Sequence, residues 1–155
     1  MTNAQIELET ISTSLTVSDM DRALRFYCEG LGYKKGAEQK HEFDPNSEAA
    51  KALGITSAIT RVCFVSRPHS RLEIISYERP KTALKLVQKP PAQPGLNALH
   101  YRTPNVKALA ARLVELGGTI VQSFGDERCI VADPDGMRIQ FAAVPAEAIQ
   151  AVFAG

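Results

Sequence analysis

A strand that runs directly into a helix, repeated once 86 residues later, is the feature that most constrains this chain. In residues 11–17, Ile11, Leu15 and Val17 fall on one face and Ser12, Ser14 and Thr16 on the other, the period-two signature of a half-buried strand. From residue 19 the period changes: Met20, Ala23, Leu24, Tyr27 and Leu31 form one helical stripe, predicting a helix over 19–30. Ser18 and Asp21 have nearly the spacing of a capping box, and Gly30-Leu31-Gly32 closes the helix.

Sliding the sequence by 86 residues pairs Ser12 with Ala98, Ser14 with His100, Leu24 with Ala110 and Glu29 with Glu115. Strand, helix, glycine and strand recur in that order, so the chain reads as an internal duplication. Near the end of each copy, Arg71-Leu72-Glu73-Ile74 matches Arg138-Ile139-Gln140-Phe141 at an offset of 67. The first copy therefore holds 19 extra residues, which the polar segment 39–57 accommodates.

Between these landmarks the pattern predicts strands near 32–38, 58–67 and 70–77, the last two joined at Pro68-His69. A short helix is expected from Ser47 to Leu53. In the second copy, strands are expected near 97–103, 119–123, 127–132 and 137–142. Thr103-Pro104 is read as the N-cap and first residue of a helix burying Val106, Leu109, Leu113 and Leu116. Asp133-Pro134-Asp135-Gly136 suits a type I turn and lacks the ligands of a calcium loop. The division is one domain over 1–155, with modules at 11–77 and 96–143, a proline-rich linker at 78–95 and a tail at 144–155 carrying a short helix.

The run LTVSDMDRALRFYCEGLGYK at residues 15–34 resembles the opening of a vicinal-oxygen-chelate module, the glyoxalase, bleomycin-resistance and extradiol-dioxygenase superfamily. The resemblance is strongest over 12–33 and returns over 98–141. It implies an α+β fold in which two βαβββ modules form a curved eight-stranded mixed sheet around a cavity. It also implies a small-molecule ligand and a homodimer.

Strand alternation selects the face that would line such a cavity: Ser12, Ser14, Arg71, Glu73 and Tyr77 in the first module, Ala98, His100, Arg102, Arg138 and Gln140 in the second. Metal-dependent members that this chain resembles place His or Glu at four of these positions. Here they fall on Ser12, Glu73, Ala98 and Gln140, and only Glu73 is a conventional ligand. No metal ligand set and no cofactor is therefore expected. The readings are a metal-independent lyase or isomerase, a ligand-sequestering protein without catalysis, and a divergent metal-dependent lyase or dioxygenase. Under the first, His100 is the acid or base and Glu73 its partner. Ser12, Ser14, Tyr77, Arg102, Arg138 and Gln140 would hold a small, anionic substrate. His41 and His69 read as surface residues of a loop and a turn.

A net charge of +1, with 45% apolar and 23% charged residues, gives no footprint for nucleic acid or an anionic membrane. No apolar run approaches the ~20 residues that span a bilayer, and the polar N-terminus does not read as a signal peptide. A cytoplasmic protein is expected. Cys28, Cys63 and Cys129 are expected to be free, buried or half-buried thiols with no neighbouring base.

Overall fold

The computed structural model describes residues 10–52, 54, 58–81 and 94–153. The prolines at 90 and 91 and the end of the predicted 47–53 helix lie outside the described residues. Two βαβββ modules are present. The first comprises β1 (Thr13–Val17), α1 (Met20–Leu24, continuing as a π-helical turn over Arg25–Gly30), β2 (Lys34–Phe43), α2 (Glu48–Ala52), β3 (Ala58–Arg67) and β4 (Ser70–Arg79). The second comprises β5 (Leu99–Thr103), α3 (Val106–Glu115), β6 (Thr119–Phe124), β7 (Arg128–Ala132) and β8 (Arg138–Ala143), followed by α4 (Ala146–Phe153).

The strands pair as two four-stranded mixed sheets, in the orders β1-β4-β3-β2 and β5-β8-β7-β6. In each, the first and last strands of the module run parallel and the others antiparallel. The duplication is exact in topology, and the sheets do not close on one another. The 19 extra residues of the first copy go into α2 and into β2 and β3, which have ten residues each against six and five in β6 and β7. Residues 34–38 of β2 match the strand expected near 32–38, while 39–43 fall in the segment expected to be polar. β2 is an edge strand exposed along nearly its whole length, so it carries no apolar alternation to read.

The helix-facing residues anticipated from alternation do form the core: Leu15, Val17, Leu72, Ile74, Ile139 and Phe141 are buried, and Leu99 and Tyr101 pack against them. The α1 stripe is buried as expected, but Phe26 is fully buried beside Tyr27. The π-helical turn explains this, since its wider winding brings two consecutive aromatic side chains inward. Both modules contribute to one core cluster. Gly30 lets α3 approach closely: a Cβ there would lie 2.7 Å from Leu113 Cδ2.

Two cap assignments are corrected. Asp19, not Ser18, caps α1, its carboxylate accepting from the Arg22 amide at 2.9 Å. Asn105, not Thr103, caps α3 by accepting from the Ala108 amide at 2.9 Å, so Pro104 precedes the cap. Ser18 is diverted across the module seam, where its amide and hydroxyl both donate to Asp135. Leu109 is only half-buried, and Ala110 takes the inner position.

Candidate functional site

The site is built by the tight β3–β4 hairpin, the exposed edge of β5 and the C-terminal helix. Arg67 and Ser70 are register partners, which leaves only Pro68 and His69 to make the turn. Proline pre-sets its own φ, and His69 takes a φ of 59°, in the left-handed region that a two-residue turn of this kind needs. That turn faces β5 across a cavity of about 640 Å³, within the range of small-molecule sites. Ala148 and Ile149 of α4 form another part of its wall.

Four nitrogenous side chains line this cavity: Arg67, His69, His100 and Arg102. No carboxylate lines it among the described residues, so its field favours an anion. Arg102 makes no hydrogen bond or ion pair with the described residues. Its guanidinium is available to a carboxylate or phosphate. His100 likewise makes none with the described residues, and it lies on the same face of β5, about 7 Å along the strand from Arg102.

Arg67 is fixed in place. Its Nη1 donates to the Leu31 carbonyl at 2.8 Å, and its Cζ lies 5.8 Å from the ring centroids of both Tyr33 and Tyr101. The two tyrosines join their hydroxyls at 3.0 Å, and Tyr33 Oη lies 2.6 Å from Ser70 Oγ. Burial and the Tyr33 hydroxyl push the Tyr101 phenol far up, so it stays neutral. A cationic, hydroxyl-lined wall therefore comes from residues scattered over β2's approach, the hairpin and β5.

Of the residues expected from sequence, the cavity brings together His100 and Arg102. Ser12 lines an adjoining cavity of about 660 Å³, together with Arg71 and the shared residues Arg67, His69 and Ser70. Glu73 lies in the other sheet, on β4, and accepts from Ser14 Oγ at 2.8 Å. It lines neither cavity, so no Glu73–His100 pair forms within the described chain. Gln140 is the register partner of His100. Arg138 donates to Asn97 Oδ1 at 3.1 Å, Arg71 stacks on Phe64 at 4.2 Å, and Tyr77 of β4 pairs in register with Thr60 of β3. Arg138, Gln140 and Tyr77 line neither cavity.

Sequence reasoning missed Arg67, Ser70 and Tyr101 as cavity-lining residues; His69 is an exposed turn residue as expected, and it lines the cavity as well. The Pro68-His69 pair announced the turn, but nothing in its spacing shows what the turn faces. His41, exposed on β2, is a surface residue as expected, though in a strand.

The cysteines are free, with Cys63 and Cys129 buried and Cys28 half-buried. Burial pushes all three thiols up, away from the nucleophilic thiolate. For a metal, the donor set does not fit. Ser12, Glu73, Ala98 and Gln140 supply one anionic ligand, and among the described residues no three His, Cys, Asp or Glu side chains are grouped to hold an ion.

Two βαβββ modules around one core define the α+β class, and the cavity beside them suits an anion. The sequence matches the Glyoxalase/Bleomycin resistance protein/Dioxygenase superfamily over residues 10–141, and the chain belongs to that family. No curated protein sequence matches it. Among solved structures it is similar to a glyoxalase family protein from Bacillus cereus (TM-score 0.73, 19% identity, covering 92% of this chain and 98% of that one). It is similar to the trypanothione-dependent glyoxalase I of Leishmania major (TM-score 0.63, 19% identity, 96% and 95%). It is also similar to the fosfomycin resistance protein FosX of Mesorhizobium loti (TM-score 0.55, 14% identity, 95% and 99%). At these identities the likeness is one of fold. No helix among the described residues is long and apolar enough to cross a membrane.

Proposed function

We propose that this protein binds a small anionic molecule between the β3–β4 hairpin and β5 and acts on it, without a metal, as a lyase or isomerase by proton transfer. The observation that carries this reading is the juxtaposition of His100 and Arg102, without partners among the described residues, in a cavity whose described lining has no carboxylate. Arg102 and Arg67 hold the anionic group of the substrate. His100 takes or returns the proton, the role an imidazole most often fills in acid–base catalysis. Glu73, bonded to Ser14, stands outside this cavity and has no part in the step. A homodimeric, cytoplasmic protein belongs to the same reading, consistent with three free thiols.

A second reading, sequestration without turnover, is favoured by one observation: nothing among the described residues orients the His100 ring. Catalytic bases are usually held by a further hydrogen bond. One experiment separates the two. Small carboxylates and phosphoesters are screened by thermal shift, and the tightest are incubated with the protein and followed by NMR. For an enzyme, His100→Ala abolishes turnover with affinity nearly intact, while Arg102→Ala weakens binding. A tight ligand recovered unchanged after long incubation favours sequestration. If no anion binds, both readings fail.

A further inference from the structure

The β3–β4 turn borders two cavities. One is the cavity of His100 and Arg102, and the other is the adjoining cavity of about 660 Å³; Arg67, His69 and Ser70 line both. The register of the hairpin sets one wall of the second cavity. Its last two rungs, Ser66 opposite Arg71 and Arg67 opposite Ser70, all contribute to the lining. The other wall is the approach to β1, which lies beside β4 because Thr13 pairs with Leu72.

The two cavities differ in chemistry. Leu72, Leu99, Ala142, Ala148 and Ile149 give the first an apolar wall, suited to a carbon skeleton. The second carries five hydroxyl side chains, Thr10, Ser12, Thr13, Ser66 and Ser70, beside the guanidinium groups of Arg67 and Arg71. No carboxylate lines it among the described residues. Glu73, two residues from Arg71 on the same face of β4, is engaged by Ser14 Oγ at 2.8 Å. Arg71 is steadied by Phe64, with its Cζ 4.2 Å from the ring centroid, and makes no hydrogen bond or ion pair with the described residues. Contact over a ring leaves the in-plane N–H donors of a guanidinium unspent.

A carboxylate is satisfied by a single guanidinium fork, and this donor set exceeds it. A phosphate monoester presents three terminal oxygens and a charge of about −1.5 to −2 at neutral pH, so it takes hydroxyl and guanidinium donors together. We propose that the second cavity is a phosphate subsite and that the ligand is a phosphorylated carboxylic acid running past His69 from one cavity into the other. Its phosphate lies against Arg71 and the hydroxyls, its carbon chain along the apolar wall, and its carboxylate against Arg102. Arg67, common to both cavities, lends its charge to both ends. The bridge rests on the anion site proposed at Arg102; the phosphate subsite stands without it.

Calorimetric titration of the full chain, in a buffer free of phosphate and carboxylate, tests both statements. The probes are inorganic phosphate, propionate, and the monophosphate esters of ω-hydroxycarboxylic acids of increasing chain length. Arg71→Met keeps an apolar stem over Phe64; it weakens phosphate binding roughly ten- to a hundredfold and leaves propionate binding unchanged. Arg102→Ala does the reverse. Arg25→Met, which removes an exposed charge outside both cavities, changes neither. Along the ester series, affinity climbs above that of either separate anion once the chain is long enough, and there either substitution weakens it. Phosphate binding that is absent, or indifferent to Arg71→Met, overturns the subsite. Esters that bind no tighter than phosphate at any length overturn the bridge. In that case, propionate binding that ignores Arg102→Ala traces the failure to the anion site at β5, whereas propionate binding that depends on Arg102 traces it to the bridge alone.

Discussion

Tyr27 and Asp133, 106 residues apart in sequence, are joined by a 2.8 Å hydrogen bond buried at the seam between the two modules. Asp133 also organises the turn that follows it, its other oxygen accepting from the amides of Asp135 and Met137 at 2.9 and 2.8 Å. Asp135 in turn holds the start of α1 through Ser18 and an ion pair with Arg22 at 3.1 Å. The run Asp133-Pro134-Asp135-Gly136 is thus the clasp by which the second module grips the first.

Tyr27→Phe tests that clasp. The substitution keeps the ring and its edge-to-face packing against Phe26 and Tyr33. It leaves one buried carboxylate oxygen without its donor, which costs about 1–3 kcal/mol. Urea unfolding is expected to show a lower midpoint at an unchanged slope, since the exposed surface on unfolding stays the same. An unchanged midpoint would mean that the seam is held by packing alone.

Asp133 also sets a pH dependence. Burial raises its carboxyl pKa, against the opposing pull of the Tyr27 hydroxyl and the turn amides. A raised pKa means the folded protein binds this proton more tightly than the unfolded chain. The resulting stabilisation is complete below the ordinary carboxylate range and is lost as pH rises through the raised value. Asp21 and Glu38, both lowered chiefly by the Arg61 side chain, contribute with the opposite sign. They are common to wild type and Asp133→Asn and cancel in a comparison. The stability of wild type relative to Asp133→Asn should therefore decrease with rising pH across that window and then level off. A relative stability that rises with pH would contradict the raised carboxyl pKa of Asp133.

How much of this was legible in the sequence depends on the range of the interaction. Leu15, Val17, Leu72 and Ile74 declared their faces because alternation along one strand is a local signal, and the duplication fixed the order of elements. Glu73 and His100 were correctly placed on the face opposite the core. Parity along a strand does not say that β4 and β5 belong to sheets that do not close on each other, so their pairing into one site did not follow. Arg67 was invisible for the same reason, since its role depends on Tyr33 and Tyr101, more than thirty residues away on either side. Ser18 looked like a cap because Asp135, the residue that claims it, is 117 residues on.

At Gly30 the π-helical end of α1 lies close against α3. Alanine there would put Cβ 2.7 Å from Leu113 Cδ2 and 3.1 Å from Leu116 Cδ1. Leu113 is fully buried and has little room to yield. Overpacking of this kind costs about 1–3 kcal/mol, against roughly 0.5–1 kcal/mol regained from reduced unfolded-state freedom. Gly30→Ala should therefore be net destabilising. Combined with Leu113→Ala, it should cost less than the sum of the two, because each relieves the other's misfit. Additive costs would show that the contact is not a constraint.

Arg67 offers the sharpest separation between a structural and a ligand-binding role. It touches protein through the Leu31 carbonyl and the faces of Tyr33 and Tyr101, and it presents charge to the cavity. Arg67→Met keeps an apolar stem of similar reach but removes the donor and the charge. Arg67→Lys keeps the charge as a point, without the planar group that lies 5.8 Å from both ring centroids. If anion binding depends on net charge alone, inorganic phosphate or a small carboxylate should bind Arg67→Lys as tightly as wild type. If the pre-positioned guanidinium matters, Arg67→Lys should lose about as much affinity as Arg67→Met, roughly ten- to a hundredfold for a lost charge-assisted pair worth about 1.5–3 kcal/mol. Calorimetric titration of both variants, with thermal unfolding measured alongside, decides between them. The geometry favours the second outcome, because Leu31 and the two tyrosines fix the guanidinium before any ligand arrives.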